Sequence, residues 1–294
     1  NKAGRVITPR LLGGDEVLTD DYPDPRQPLM DWMRQEDNPY FAAAFVNRAW
    51  ANYFNVGIIE PPDDMNLANP PSNPALLDYL ADGLREHGYD MKWLHREIAL
   101  SATYQQSSQI DGKKQERDAA NQWYWRANRR RLSVEAWRDS ILVATSAIDY
   151  SKLKGSTPAS QADGAHRTLY SSISRFQLDP LLVLFDFPDP SLPASLREQR
   201  TLPTQALYLM NAPEVVTLAR QLAERVLGEV TSDDAARIDL LHELCFGRPA
   251  TQAEQLRIAE FLKLQTSVKP ADRVAAWSTV CQTLFAAAEF RFLP

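Results

Sequence analysis

The chain has 294 residues, 44% of them hydrophobic and 24% charged, with a net charge of −6. That is enough length and apolar content to bury a substantial core, so disorder is not expected. The negative balance gives no reason to seek out nucleic acid, and no run of about 18 apolar residues is present to span a membrane. The 11 glycines are few for an all-β sandwich, and the 20 prolines cluster at 23–28, 61–74, 180–193 and 203–213, as punctuation between helices would.

Residues 1–28 read as an irregular arm, LLGG followed by the acidic GDEVLTDDYPDPRQP. The alternating ligands of a calcium loop are missing from it. Without an initiator methionine or a signal peptide's apolar stretch, the chain reads as a processed chain or a piece of a longer one. In NPYFAAAFVNRAWANYF, Asn38 can cap and Pro39 suits a first helical turn. Phe41, Phe45, Ala49 and Tyr53 recur at four-residue steps, widened by Trp50 and Phe54, and Gly57 is placed to end the helix.

PPDDMNLANPPSNP (61–74) follows. Ser72 or Asn73 with Pro74 starts PALLDYLADGLREHG, whose face is Leu76, Leu77, Leu80 and Leu84, closed by Gly88. A third helix carries Trp93, Leu94, Ile98 and Tyr104. After a charged loop at 109–118, Ser133 caps a helix bearing Val134, Trp137, Ile141 and Leu142. The polar stretch 149–164 reads as a mobile connector, and HRTLYSSISRF as at most a minor β element near 168–176.

From TLPTQALYLMNAPEVV the chain returns to helix, divided at Asn211 and Pro213. A helix ending at Gly247 follows, then one opened by the capping box Thr251 and Glu254, then a final one. The expected fold is mainly α: an irregular multi-helix domain spanning 29–294 in two packed halves, about 29–148 and 178–294, joined by the loop 149–164.

NPYFAAAFVNRAWANYF, GIIEPPDDMNLANPPSNPALLDYLADGL, YDMKWLHREIALSATYQQSS, RRRLSVEAWRDSIL, LFDFPDP, REQRTLPTQALYLMNAPEVV and LCFGRPATQAE stand in the order of the blocks of the domain-of-unknown-function family numbered 1553. The resemblance runs from about Arg5 to Phe290. The family often has histidine in the NPPSHP position, where this chain has Asn73, which weakens any scheme placing a ligand or base there. The resemblance implies the C-terminal part of a long secreted protein of planctomycetes or related bacteria, following a partner domain numbered 1549. A cytochrome c-like or carbohydrate-binding module often accompanies them. It implies an extracytoplasmic address, periplasmic or cell-surface, and supplies no activity.

The residues themselves lack a G-x-S-x-G, P-loop, H-E-x-x-H, Rossmann fingerprint or C-x-x-C-H haem attachment. Asp63 and Asp64 are the best carboxylate pair. With Asn66 and Asn69 they offer hard oxygens to calcium or acceptors to sugar hydroxyls, or they cap helices and arrange turns. Asn47, Arg48 and Trp50 sit on the preceding helix. A buried arginine needs a carboxylate, so Arg48 is expected to reach Asp63 or Asp64, or Asp186 or Asp189 in the rigid FDFPDP, which reads as an interior latch. Arg200, Thr201, Thr204 and Gln205 are expected to line the same place.

His242 and Cys245 lie three apart and supply only two local metal ligands; Cys245 and Cys281 read as buried thiols or as a bridge between C-terminal helices. Arg129, Arg130 and Arg131 after Trp123, Tyr124 and Trp125 superficially suit single-stranded nucleic acid. Charge and the resemblance favour a solvated or salt-bridged face, with Glu135 and Asp139 as local partners, or an anionic glycan contact. No cofactor is expected, with calcium as the exception.

These readings combine into a noncatalytic structural or assembly module, partnered by the upstream domain of its parent and by surface proteins or glycans. The 61–74 loop would be a connector whose aspartates hold the helices in buried pairs. The alternative is a polysaccharide-acting hydrolase or lyase using Asp63, Asp64 or Asp186, which would need two carboxyl groups roughly 5–10 Å apart across a sugar site.

Overall fold

A computed structural model describes residues 8–151, 157–160, 165–192, 194, 197, 200–268 and 272–293. The start of the N-terminal arm and much of the expected connector 149–164 lie outside these residues. The chain forms two compact units, the first ending at Asn128 and the second beginning at Arg129. The described residues are mainly α-helical, with one small sheet.

In the first unit the helices are α1 (Gln27–Met33), α2 (Phe41–Phe54), α3 (Pro74–Glu86), α4 (Met91–Leu100) and α5 (Gly112–Arg117). The starts of α2, α3 and α4 are chemically marked. Asn38 Oδ1 accepts from the backbone N–H groups of Tyr40 and Phe41, Asn73 from Leu76, and Asp90 from Lys92, filling donors that a helix leaves open at its start. α5 lies inside the stretch expected as a charged loop, because Asp111 caps both Lys113 and Lys114.

The core joins Val46, Trp50 and Phe54 of α2 to Leu77, Leu80 and Leu84 of α3, Leu94 and Ile98 of α4, and Ile58 and Ile59 of the loop. The buried arc of α2 is therefore offset from the expected stripe: Ala42, Ala43, Val46 and Asn47 face inward, while Phe45 is exposed. Small side chains on that arc let the following loop lie close against the helix.

In the second unit the helices are α6 (Val134–Ala144), α7 (Pro180–Leu184), α8 (Pro203–Asn211), α9 (Pro213–Glu229), α10 (Asp234–Phe246), α11 (Gln252–Val268), α12 (Arg273–Ala286) and α13 (Ala288–Arg291). Val215, Ala219, Leu222 and Val226 of α9 and Trp277, Cys281, Leu284 and Phe285 of α12 share one core with Trp137 and Ile141 of α6. The division at Asn211 and Pro213, the left-handed Gly247 cap and the Thr251/Glu254 capping box are as expected.

The minor β element is β1 (Arg130–Arg131) paired antiparallel with β2 (Phe292–Leu293), not the stretch near 168–176. There, Thr168–Tyr170 is a turn of 3-10 helix. Asp139 accepts from both the backbone N–H and the hydroxyl of Thr168, at 2.8 and 2.7 Å, taking up a donor that a strand would have offered to a neighbour.

Candidate functional site

α2 ends at Phe54 because Asn55 adopts the left-handed conformation and returns its N–H to the Ala51 carbonyl. Gly57 has a different task from the helix stop expected of it. A Cβ there would lie 2.1 Å from the Ile59 carbonyl oxygen and 3.1 Å from Asn47 Oδ1, so only glycine permits the chain to double back on α2.

Asn47 then fastens the loop. It is fully buried; its Oδ1 accepts from the Ile59 N–H at 2.9 Å, and its Nδ2 donates to the carbonyls of Ile59 and Pro62 at 2.9 and 3.0 Å. One neutral side chain thus satisfies three main-chain groups that burial would otherwise leave unpaired. Tyr124 reaches the Gly57 carbonyl at 2.9 Å, and the Ser72 hydroxyl reaches that of Ile58 at 3.0 Å. Trp50 is buried edge-on to Tyr124, with ring centroids 5.2 Å apart.

The carboxylates lie on the outside of this turn. Arg48 grips Asp63 bidentately at 2.7 and 2.6 Å, with the two side chains 55% and 37% exposed. Asp63 is one of the four partners expected for Arg48, but the expected burial is absent: the pair sits in water, where such pairs contribute little. Asp64 accepts from the Asn66 amide, Asn66 accepts from the Ala68 N–H, and Asn69 donates to the carbonyls of Glu60 and Asp64. Asp63, Asp64 and Asn66 are exposed. No three His, Cys, Asp or Glu groups among the described residues sit together as a metal set.

Asp186, Arg200 and Gln205 come together in the second unit. The Asp186 side chain is 5% exposed and accepts from Arg200 Nε and backbone N–H, both at 3.1 Å, and from Gln205 Nε2 at 3.4 Å. Asp186 has φ of +61°, a left-handed backbone that aspartate tolerates better than most residues. Gln205, also buried, donates to the Leu184 carbonyl at 3.0 Å.

Sequence reasoning missed the fourth member. Arg131 donates to the Gln205 Oε1 at 2.7 Å and to the Arg200 carbonyl, and its guanidinium lies 5.9 Å from the Phe185 ring centre. Burial lowers its pKa, and nearby Asp186 works against that shift. The basic run is thus not simply a solvated face: Arg131 is buried in strand β1. The expected local partners are engaged elsewhere, Glu135 by Arg197 at 2.7 and 2.8 Å and Asp139 by Thr168 and Arg167.

Asp189 accepts from the Ser191 N–H in a turn, and Thr201 and Thr204 are exposed. FDFPDP is half-buried, with Asp189 outside. His242 is buried, with Nδ1 2.9 Å from the Ile238 carbonyl oxygen and Nε2 3.9 Å from Glu254. Cys245 and Cys281 are both free thiols, and burial pushes Cys245 up to about 12.

The geometry defines a mainly α-helical protein whose singled-out carboxylates are bound to groups of their own chain. No described helix is long and apolar enough to cross a membrane. The chain belongs to the family described as protein of unknown function (DUF1553), whose model matches residues 25–262. No curated protein and no solved structure gives a significant match.

Proposed function

We propose that the chain is a noncatalytic structural module of a larger extracytoplasmic or cell-surface protein, working in assembly by packing against the upstream domain of its parent. One observation carries this reading: each carboxylate considered for acid–base work already has a partner. Asp63 spends both oxygens on Arg48, Asp64 accepts from Asn66, and Asp186 accepts from Arg200 and Gln205. A general acid or base must be free to exchange its proton with a substrate atom within hydrogen-bond reach. Leu207 and Met210, three residues apart on α8, are 58% and 63% exposed, an apolar face of the kind that suits packing against another domain.

Calcium or glycan binding at the rim of the 61–74 loop is a second reading, favoured by the exposure of Asp63, Asp64 and Asn66. Two assays test these readings together. Neutral and acidic polysaccharides incubated with the chain are expected to yield no new reducing ends and no unsaturated sugar products. Release that is lost in Asp63→Asn or Asp186→Asn would establish the hydrolase or lyase instead. A ligand at about 100 times its dissociation constant stabilises the folded state by about 2.7 kcal/mol, so a saturable thermal shift with calcium or a glycan would support the second reading.

A further inference from the structure

A cavity of about 490 Å³ lies in the second unit between α6, α7 and the α8–α9 junction. Its volume is in the range of small-molecule pockets. Trp137, Ile141, Leu142, Leu181, Val215 and Leu218 form its apolar wall. The polar groups on it are unequal. Tyr208 donates its hydroxyl proton to Glu214. Burial first, and that hydrogen bond second, push the phenol well above its ordinary range, so it keeps its proton and directs it at the carboxylate.

Among the other donors on the cavity, the Trp137 indole N–H is buried without a hydrogen-bond partner, while Ser160, Thr217 and Arg138 are committed. Ser160 donates to Asp179 at 2.8 Å and Thr217 to the Pro213 carbonyl at 2.8 Å. Arg138 Nη1 is held by the His166 carbonyl and the Thr168 hydroxyl, and its charge faces Asp139, Tyr208 and Asp179. Glu214 is half-buried, and among the described residues no lysine, arginine or histidine forms an ion pair with it. The Tyr208–Glu214 pair therefore offers acceptors and an unneutralised negative charge at one end of an apolar chamber.

We propose that this cavity binds a small organic amine, its aliphatic or aromatic body on the apolar wall and its ammonium group received by Glu214 and the Tyr208 oxygen. This site goes beyond the module reading and does not depend on it. Charge selects a cation over an anion, because a carboxylate ligand would meet Glu214 with like charge.

Calorimetric titration of the full chain with 2-phenylethylamine, 2-phenylethanol and phenylacetate, which share one body, tests the proposal. The amine is expected to bind saturably and about tenfold or more tighter than the alcohol, the margin of a charge-assisted hydrogen bond, and phenylacetate not to bind. Glu214→Gln, which keeps an acceptor for Tyr208, should bring the amine down to the alcohol's affinity. Tyr208→Phe, an independent variant, should weaken the amine severalfold. No saturable binding of the amine, equal binding of amine and phenylacetate, or full amine affinity in Glu214→Gln would overturn the proposal.

Discussion

In the first unit the buried polar group is neutral: Asn47 satisfies three main-chain partners inside, and the Arg48–Asp63 pair stands outside in solvent. In the second unit the charge goes inside. The Asp186 side chain is 5% exposed, beside buried Gln205 and Arg131, while Arg200 reaches in from a 63% exposed position. Both arrangements tie irregular chain to helix. They differ in where the solvation penalty falls. A neutral amide matched to buried backbone groups loses little on desolvation, whereas a buried carboxylate needs several donors to offset its lost water. Burial, more than the presence of charge, decides what each residue contributes.

The largest expected effect sharpens the first half of that comparison. Gly57→Ala places a methyl against a backbone oxygen 2.1 Å away, an obstruction that no side-chain rotation relieves. Urea denaturation should record a loss of about 3 kcal/mol or more. A variant of unchanged stability would mean that the loop is not held against α2.

In the second unit, Gln205→Ala leaves Arg131 Nη2 and the Leu184 carbonyl without Gln205 and removes one donor to Asp186. Denaturation should show a loss of about 2–3 kcal/mol. A loss as small as that of an exposed pair would erase the distinction between the two clusters.

Acid should find the partly buried pairs. Burial, the largest single influence, raises the Glu135 carboxyl, but the Arg197 hydrogen bonds and charge, with a backbone N–H and Ser133, together outweigh it and hold it below its ordinary 4.5. The Arg248 hydrogen bond likewise depresses Glu254. Each depressed carboxyl contributes stability that is complete above its ordinary value and lost as pH falls through the folded one. Thermal melts should therefore drop as pH is taken below 4.5, and Arg197→Gln should flatten part of that slope. An unchanged slope would remove Glu135 from the account.

The smallest effect belongs to the exposed pair. Arg48→Gln should cost under about 1 kcal/mol and leave less difference still at high salt, read from melts with and without added salt.

Local signals were legible in the sequence. The Asn73–Pro74 start of α3, the Ser133 cap of α6, the break at Asn211 and Pro213 and the Gly247 stop depend on neighbours within a few residues. The need of Arg48 for a carboxylate was legible, but the sequence left Asp63, Asp64, Asp186 and Asp189 open, and only the fold selects Asp63. Other features depend on distant chain. Arg131 meets Gln205 across 74 positions, and β1 meets β2 near the far end of the second unit; neither leaves a mark near its own residues. The α2 face was misjudged because a four-residue period fits both arcs of an aromatic-rich helix, and only the adjoining loop selects the alanine and asparagine arc. The Tyr208–Glu214 cavity is likewise assembled from helices spread over some 80 residues, a separation at which sequence carries no short-range pattern.

The most direct test of the connector claim sets Asn47→Ala beside the double variant Asp63→Asn with Asp64→Asn in urea denaturation. Asn47→Ala leaves three buried main-chain groups unpaired and should lose about 2–5 kcal/mol, while the double variant should lose under about 1 kcal/mol. The reverse order, with the double variant collapsing and Asn47→Ala barely affected, would contradict the account and return the aspartates to the centre of the loop.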